Sequence, residues 1–324
     1  MTQPLPGSMR ASAIDGFGGV ERLSMQTVPV PEIGPDDVLI RVEVAGLGSW
    51  DAGERAGHYD GGFGFKSTFP YILGWDGAGT VAAVGERATR FAAGDRVYAA
   101  SMPLPRGGFY AEYAAVAEDH VALIPGGLTI EQAAAMPWDA LTALSGVDTL
   151  GLKPGATLMV FGASGGIGHM AVQLARRLGA RVLAVASGDD GVALVNRLGA
   201  DAAVDGRRED VVAAARGFAP DGLDAALVTA GGEVADRALT AMRDGARVAC
   251  PYGVVPAPVV PPGTQLIRYH GERGAEATDR LNHLIDTGPF EVHVARTFGF
   301  DQAPEAHRAL ERHYVGKLAL RING

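Results

Sequence analysis

The stretch from Thr157 to Ser187 limits what this chain can fold into more than any other. An apolar run, Thr157-Leu158-Met159-Val160-Phe161, leads into Gly162-Ala163-Ser164-Gly165-Gly166-Ile167-Gly168. A helical segment follows, and then a second apolar run, Arg181-Val182-Leu183-Ala184-Val185-Ala186. Ile167, Met170, Ala171, Leu174 and Leu178 recur at the spacing of one helix face, which puts His169, Gln173, Arg176 and Arg177 on the opposite, polar face. Gly179 ends the helix. The second run is almost continuously apolar, as a parallel strand covered on both faces requires. The whole reads as strand, glycine turn, helix, strand. Ala163 to Gly168 fit the pattern G-x-G-x-x-G with alanine at the first glycine. Gly165 lets the backbone approach a pyrophosphate, Gly168 lets helix and strand pack closely, and the amides of the first helical turn face the anion. Small residues in this order also make plain tight turns. Here both strands and the helix lie where a dinucleotide site needs them.

A chain of 324 residues is comfortable for two domains, each with its own core. Hydrophobic residues make up 47% and charged ones 20%, and no apolar stretch approaches the ~20 residues that span a bilayer, so no membrane partner is expected. Met1 to Ser8 lack an apolar core and a basic start, which argues against a signal peptide and for a frayed tail, with the folded chain starting near Met9. The net charge of −9 arises from 28 basic and 37 acidic residues, and the basic ones are scattered, so nucleic acid is not the expected partner. The single cysteine, Cys250, excludes an intrachain disulfide and a cysteine-rich zinc site, and suits a reducing cytoplasm. At the end of an apolar run it reads as a buried small hydrophobe, the alternative being a reactive thiol.

From Met9 to about Leu123 the signals are short β-runs (Val38 to Val44, Thr80 to Gly85, Asp95 to Ala99) separated by Gly/Asp turns, which predicts a β-rich domain in the form of a partly closed barrel. Gly46 to Tyr71 reads as a long connecting loop with aromatics at Trp50, Tyr59, Phe63, Phe65 and Phe69, either a functional surface or a plug for the barrel's end. Thr129 and Gln132 form a capping box ahead of a helix that Pro137 stops, and a second helix covers about Ala140 to Thr149. Beyond Ser187, helices and strands alternate as far as Cys250, giving a doubly wound sheet, with Thr264 to Tyr269 as a sixth strand. Helices are expected at Glu276 to Asp286 and Ala303 to Tyr314. The closing strand, Lys317 to Ile322, most economically returns to the β-rich domain, which places a cleft between the two. The expected division is 1–127 for the first part of the β-rich catalytic domain, 128–265 for the dinucleotide domain, and 266–324 for the return.

These residues together resemble the medium-chain dehydrogenase/reductase superfamily, and within it the zinc-independent quinone oxidoreductase-like branch. The marks are Gly74-Trp75-Asp76-Gly77-Ala78-Gly79-Thr80-Val81, Val84-Gly85, Phe91, Gly94-Asp95-Arg96-Val97, Ala140-Leu141-Thr142-Ala143, the glycine turn, Leu198-Gly199-Ala200-Asp201, Ala306-His307 and Gly316-Lys317-Leu318. The resemblance covers nearly the whole chain. It implies an α/β architecture in which a GroES-like β-rich catalytic domain joins a Rossmann doubly wound parallel sheet. Alcohol dehydrogenases of that superfamily hold a catalytic zinc with a cysteine and a His-Glu pair at positions that here read Gly48 and Trp75-Asp76. Glycine and tryptophan supply no zinc ligand, so no metal is expected. Alcohol oxidation would lack its Lewis acid. The branch instead implies hydride donation from a reduced nicotinamide to a quinone or an α,β-unsaturated carbonyl, a small-molecule partner.

The same resemblance implies site residues. Members of the branch place an asparagine where this chain has Gly48, while Asp51 is retained; Asp51 and Asp76 would buttress the loop. Tyr59 stands where an aromatic lines the acceptor pocket, as a hydrogen-bond or proton donor or as a packing tyrosine; Trp50 would be a pocket wall or a core piece. Thr142, Ser164, Gly165, Gly166, Ile167, Ser187, Tyr252, Gly253 and Lys317 would line the cofactor path, with hydride passing from near Thr142 to an acceptor under the 46–71 segment. At the end of the second Rossmann strand Ala186-Ser187 replaces the acid that would bind the ribose of NAD, which favours NADPH over NADH. The lysine and tyrosine that grip the 2′-phosphate in NADPH-using members fall at Gly191 and Gly206, and Asp189 and Asp190 would repel it; Arg207 or Arg208 could replace the missing cation. The alternatives are an enoyl reductase of a biosynthetic pathway and an NADPH-binding protein with little turnover. Edge-to-edge pairing of Rossmann sheets, common in such relatives, suggests a homodimer.

Overall fold

The computed structural model describes residues 5–102 and 104–323. The tail reading of Met1 to Pro4 and the role of the Phe63 ring lie outside the described residues. The chain forms two compact units, Met1–Trp138 with Arg273–Gly324, and Asp139–Glu272.

In chain order the first unit contributes β1 (Ser8–Ile14), β2 (Ser24–Pro29), β3 (Asp37–Leu47), α1 (Trp50–Ala56), β4 (Tyr71–Ile72), β5 (Asp76–Val84), β6 (Arg96–Ala100), β7 (Tyr113–Ala117), β8 (Val121–Leu123) and α2 (Ile130–Ala135). The second begins within α3 (Pro137–Leu150) and continues through β9 (Thr157–Phe161), α4 (Gly166–Arg177), β10 (Arg181–Ala186), α5 (Gly188–Arg197), β11 (Ala202–Asp205), α6 (Val211–Phe218), β12 (Leu223–Val228), α7 (Glu233–Ala238), β13 (Met242–Pro251) and β14 (Gln265–Tyr269). The return adds α8 (Ala275–Asp286), β15 (Val294–Gly299), α9 (Ala303–Ala309) and β16 (Lys317–Arg321) to the first unit.

The β-rich unit is built of two sheets, β2-β1-β4 and β15-β16-β3-β5-β6-β8, with β7 also paired to β3. They share one core, in which Met9, Ile14, Val38, Ile40, Leu47, Phe298 and Leu318 meet. β16 runs antiparallel to β3, with Leu318 opposite Leu47, so the last strand lies in the same sheet as β3. Thr129 caps α2 with the expected box: its hydroxyl accepts the Gln132 N–H and its own N–H donates to Gln132 Oε1. That helix packs on β3 and β5 of the first unit, although the sequence suggested a dinucleotide domain from 128. α9 stops at Ala309, short of the expected Tyr314.

The second unit is a six-stranded parallel sheet in the order β11-β10-β9-β12-β13-β14. Strand order counts outward from β9 in one direction and from β12 in the other. The reversal between them is where open α/β sheets bind ligands, at the carboxyl ends of the strands. All five residues of β9 are buried, as its apolar run requires. On α4 the structure departs from the amphipathic reading. His169 and Gln173, expected on the polar face, are 0% and 6% exposed. Each bonds to its own helix, His169 Nδ1 at 2.8 Å from the Gly165 carbonyl and Gln173 Nε2 donating to the His169 carbonyl at 3.1 Å, which removes the desolvation cost of burying them.

Candidate active site

The glycine turn follows β9 at the strand-order reversal. Gly165 is the N-cap of the 12-residue α4, in extended conformation, and makes no side-chain cap bond, so the orphan amides of the first turn have no side-chain acceptor there. A Cβ on Gly165 would have only the Gly162 carbonyl oxygen nearby, at 3.4 Å, which leaves that face open. Gly168 differs: a Cβ there would lie 2.1 Å from the same oxygen and 2.6 Å from Ala163 Cα. One glycine keeps room for a ligand and the other lets helix and strand touch. Gly166 and Ile167 are half-buried in the first turn, and Ser164 Oγ accepts the Ser187 N–H at 3.2 Å, tying the turn to the end of β10. A pyrophosphate fits this cradle.

Beyond β10 the structure separates the two arginines. Asp205, at the end of β11 opposite Ala186, accepts the Gly188 N–H at 3.2 Å and the Arg207 N–H at 3.0 Å on Oδ1, and Arg208 Nε at 2.6 Å on Oδ2. The Arg207 amide and the Arg208 guanidinium hold its carboxyl down at about 2. Arg208 also pairs with Asp189, and the Arg207 side chain, like that of Arg208, is exposed. Thr142 is buried, and its carbonyl accepts the Tyr269 hydroxyl at 3.0 Å. Tyr252 and Gly253 are exposed; the Tyr252 ring stacks on His270 at 4.4 Å with the Arg268 guanidinium 5.0 Å from its centroid.

In the first unit the segment read as a loop contains a helix, α1, and Trp50 and Asp51 open it. All three tryptophans of the chain converge here. Trp50 stacks on Trp75 at 5.7 Å, Trp138 lies 4.7 Å from Trp75, and Tyr59 meets Trp75 edge-on at 5.1 Å. Two cations cover the cluster, Lys317 Nζ 4.7 Å above Trp50 and the Arg273 guanidinium 3.8 Å above Trp138. Lys317, expected along the cofactor path, is 2% exposed in this cluster and lies near Asp51. A Cβ on Gly48 would be 2.3 Å from the Trp50 ring, so Trp50 fills the space a ligand side chain at 48 would need. The position beside Trp75 offers one carboxylate, Asp76, whose Oδ1 accepts the Trp138 N–H at 3.0 Å. Glycine, two indoles and one carboxylate do not form a zinc site, and among the described residues no three His, Cys, Asp or Glu side chains are grouped to hold a metal.

Asp51 is fully buried, and its Oδ2 accepts the Gly48 N–H at 2.9 Å and the Tyr110 hydroxyl at 3.1 Å, the bonds of a buttress. Burial, and next the charge of Glu54, push its carboxyl well above the ordinary range; Lys317 opposes this. Half-buried Tyr59 is likewise raised, by burial first and then by Asp51 and Glu54, so it stays a neutral phenol. Sequence reasoning missed two participants, Glu54 and Arg55. Glu54 accepts from the Tyr71 hydroxyl, and Arg55 is buried with its Nη1 2.6 Å from His307 Nδ1. The signal was present in the i, i+3, i+4 spacing of Asp51, Glu54 and Arg55, a charged face that here points inward. Cys250 is buried with its thiol pushed up by burial, the small hydrophobe of the two readings.

Residues 34–126 match the alcohol dehydrogenase GroES-like domain and residues 166–270 the zinc-binding dehydrogenase domain. The NADPH-dependent alkenal/one oxidoreductase of Arabidopsis thaliana chloroplasts is 31% identical over 98% of this chain and 80% of its own length. A quinone oxidoreductase of Lama guanicoe is 38% identical over 63% of this chain and 60% of its own. Among solved structures, an NAD-dependent alcohol dehydrogenase superposes with a TM-score of 0.88 at 30% identity, covering 97% of this chain and all of that one. With both domain models matched in order on a GroES-like unit and a Rossmann unit, the chain belongs to the quinone oxidoreductase-like branch of the medium-chain dehydrogenase/reductase superfamily.

Proposed function

We propose that the chain is an NADPH-dependent oxidoreductase that reduces a quinone or an α,β-unsaturated carbonyl without zinc. The observation that carries this reading is the tryptophan cluster: where alcohol-oxidising relatives place a metal, Trp50 packs against Gly48, which suits an acceptor whose own conjugation takes up the charge. NADPH, when bound, supplies the hydride. The chain's residues do the rest. Gly165, Gly166 and the first turn of α4 hold the pyrophosphate, Ser164 and Ser187 fix the turn, and Thr142, Tyr252 and Gly253 are assigned to the rest of the cofactor path, whereas Lys317 is taken up by the tryptophan cluster. Trp50 and Asp51 shape the acceptor side, and Tyr59 donates a hydrogen bond to the carbonyl oxygen as charge develops there.

The test is NADPH consumption against a panel of quinones and enones. Turnover should persist in a chelator, and Tyr59→Phe should lower kcat by ~10²-fold while leaving the NADPH Kd unchanged, because the bond strengthens only with charge on the oxygen. Unchanged kcat and KM on every accepted substrate would return Tyr59 to a packing role.

Cofactor choice is assigned to Arg207, whose side chain is exposed and whose N–H is fixed by Asp205 at the end of β11. Arg207→Ala should weaken NADPH binding by roughly tenfold, as expected for one lost charge-assisted contact, and leave NADH binding unchanged. Equal NADPH and NADH affinities in the wild type would remove this assignment.

A further inference from the structure

Tyr269, the last residue of β14, stands at the carboxyl edge of the six-stranded sheet, opposite Pro251 at the end of β13. That edge is where open parallel sheets take their ligands. The Tyr269 carbonyl accepts the Tyr252 N–H at 3.0 Å, and its hydroxyl donates at 3.0 Å to the carbonyl of Thr142 in α3, 127 residues away in sequence. One residue, 7% exposed, thus joins two segments of the second unit that reach it from different elements. The approach of the phenol to α3 depends on Gly146, one turn on from Thr142 along the same helix face. A Cβ there would lie 2.3 Å from Tyr269 Oη and 2.8 Å from both Tyr269 Cζ and Leu227 Cδ1 of β12, so glycine leaves the room in which the hydroxyl reaches its acceptor. The turn after β13 has a second hold. Arg268 Nη2 lies 3.1, 2.8 and 3.1 Å from the carbonyl oxygens of Pro251, Tyr252 and Val254 and shares its N–H groups among them. Removing the hydroxyl therefore releases α3 and spares that turn.

We infer that Tyr269 is the positioning residue for the nicotinamide end of the cofactor, holding Thr142 and the Tyr252-Gly253 turn at one fixed spacing on the sheet edge. The inference rests on the cofactor path proposed above and names the residue that sets its far end. Affinity and rate separate here. The glycine turn before α4 holds the pyrophosphate wherever the ring at the other end lies. Hydride, by contrast, passes only in a near-attack geometry, and a misplacement of about 1 Å costs ~10²-fold. A buried phenol suits the task, because its ring is rigid and an unpaired hydroxyl inside the protein costs as much as a lost hydrogen bond, so the bond to Thr142 persists. Tyr269 acts through Thr142 and Tyr252 and has no chemical step of its own.

Tyr269→Phe keeps the ring and removes the bond. In a single turnover with NADPH and an accepted quinone, its rate constant should fall about tenfold or more while the NADPH Kd and the amplitude hold, since the amplitude counts folded enzyme and the rate constant reports alignment. Gly146→Ala leaves Tyr269 in the chain but drives its hydroxyl off the carbonyl. It should cause a similar loss, and the double variant should lose little more than either alone. In the cofactor-free protein, amide exchange at 142–146 should quicken in Tyr269→Phe while exchange at 252–254 stays as in the wild type. A Tyr269→Phe enzyme with the wild-type rate constant overturns the inference, and one that loses only amplitude, in step with its Tm, reduces the bond to a structural one. A wild type that binds NADPH but turns over no quinone or enone sinks the proposed reaction instead. The positioning role is then decided by exchange in the wild type, as it also is if neither variant folds: NADPH should slow exchange at 142–146 and 252–254 together. Protection at 165–168 without protection at both of those segments overturns the inference.

Discussion

Gly168→Ala is expected to lower Tm by roughly 5–10 °C, as a loss of about 3 kcal/mol would in a unit of this size. The added Cβ would meet Gly162 O at 2.1 Å, Ala163 Cα at 2.6 Å and Gly162 C at 2.8 Å. All three are backbone atoms of the turn, so no rotamer change relieves them and α4 must lift from the end of β9. NADPH affinity should fall as well, because the first-turn amides move with the helix. Gly165→Ala makes the contrast. Its φ is −83° and its nearest neighbour is 3.4 Å away, so the fold should accept the methyl group. That substitution should leave Tm within about 2 °C of wild type while blocking the close backbone approach to the pyrophosphate. Calorimetry and an NADPH titration read both. If the two variants lose stability equally, the division of labour between these glycines is wrong.

This pair also marks what could be read from the chain without coordinates. The turn, both flanking strands and the five-residue burial of β9 follow from a local pattern whose mechanism needs each residue type at a fixed place. α1 escaped because it inverts the usual signal. Three of its seven residues are charged and buried, Asp51, Glu54 and Arg55, and a Gly sits among them, so hydrophobic periodicity finds nothing. Their partners come from far along the chain: Tyr71 for Glu54, Tyr110 for Asp51 and His307 for Arg55, the last separated by 252 residues. His169 and Gln173 on α4 misled for a related reason, since a polar side chain bonded to its own helix can be buried at little cost. Trp138 reaches the tryptophan cluster from the start of α3, a position that gives no hint of Trp50 or Trp75.

Trp75→Ala should destabilise the first unit by ~3–5 kcal/mol, the range for removing a large buried aromatic. The ring is 5% exposed and touches the other two tryptophans and Tyr59, so its loss leaves a cavity with aromatic walls rather than one a flexible chain could fill. Lys317 and Arg273 stay over Trp50 and Trp138, and these cations then face a looser, wetter cluster in which their attraction to the rings is weaker. Because the chain has only 3 tryptophans and all belong to this cluster, fluorescence excited selectively at tryptophan reports on the first unit. That signal should change in the folded variant, while the NADPH Kd, assigned to Gly165, Gly166 and Arg207 of the other unit, should hold. Tyr59 loses the ring it packs against, so kcat with a quinone should fall even under conditions where the variant is fully folded. A Trp75→Ala protein with wild-type Tm and kcat would mean that the cluster neither supports this unit nor positions Tyr59.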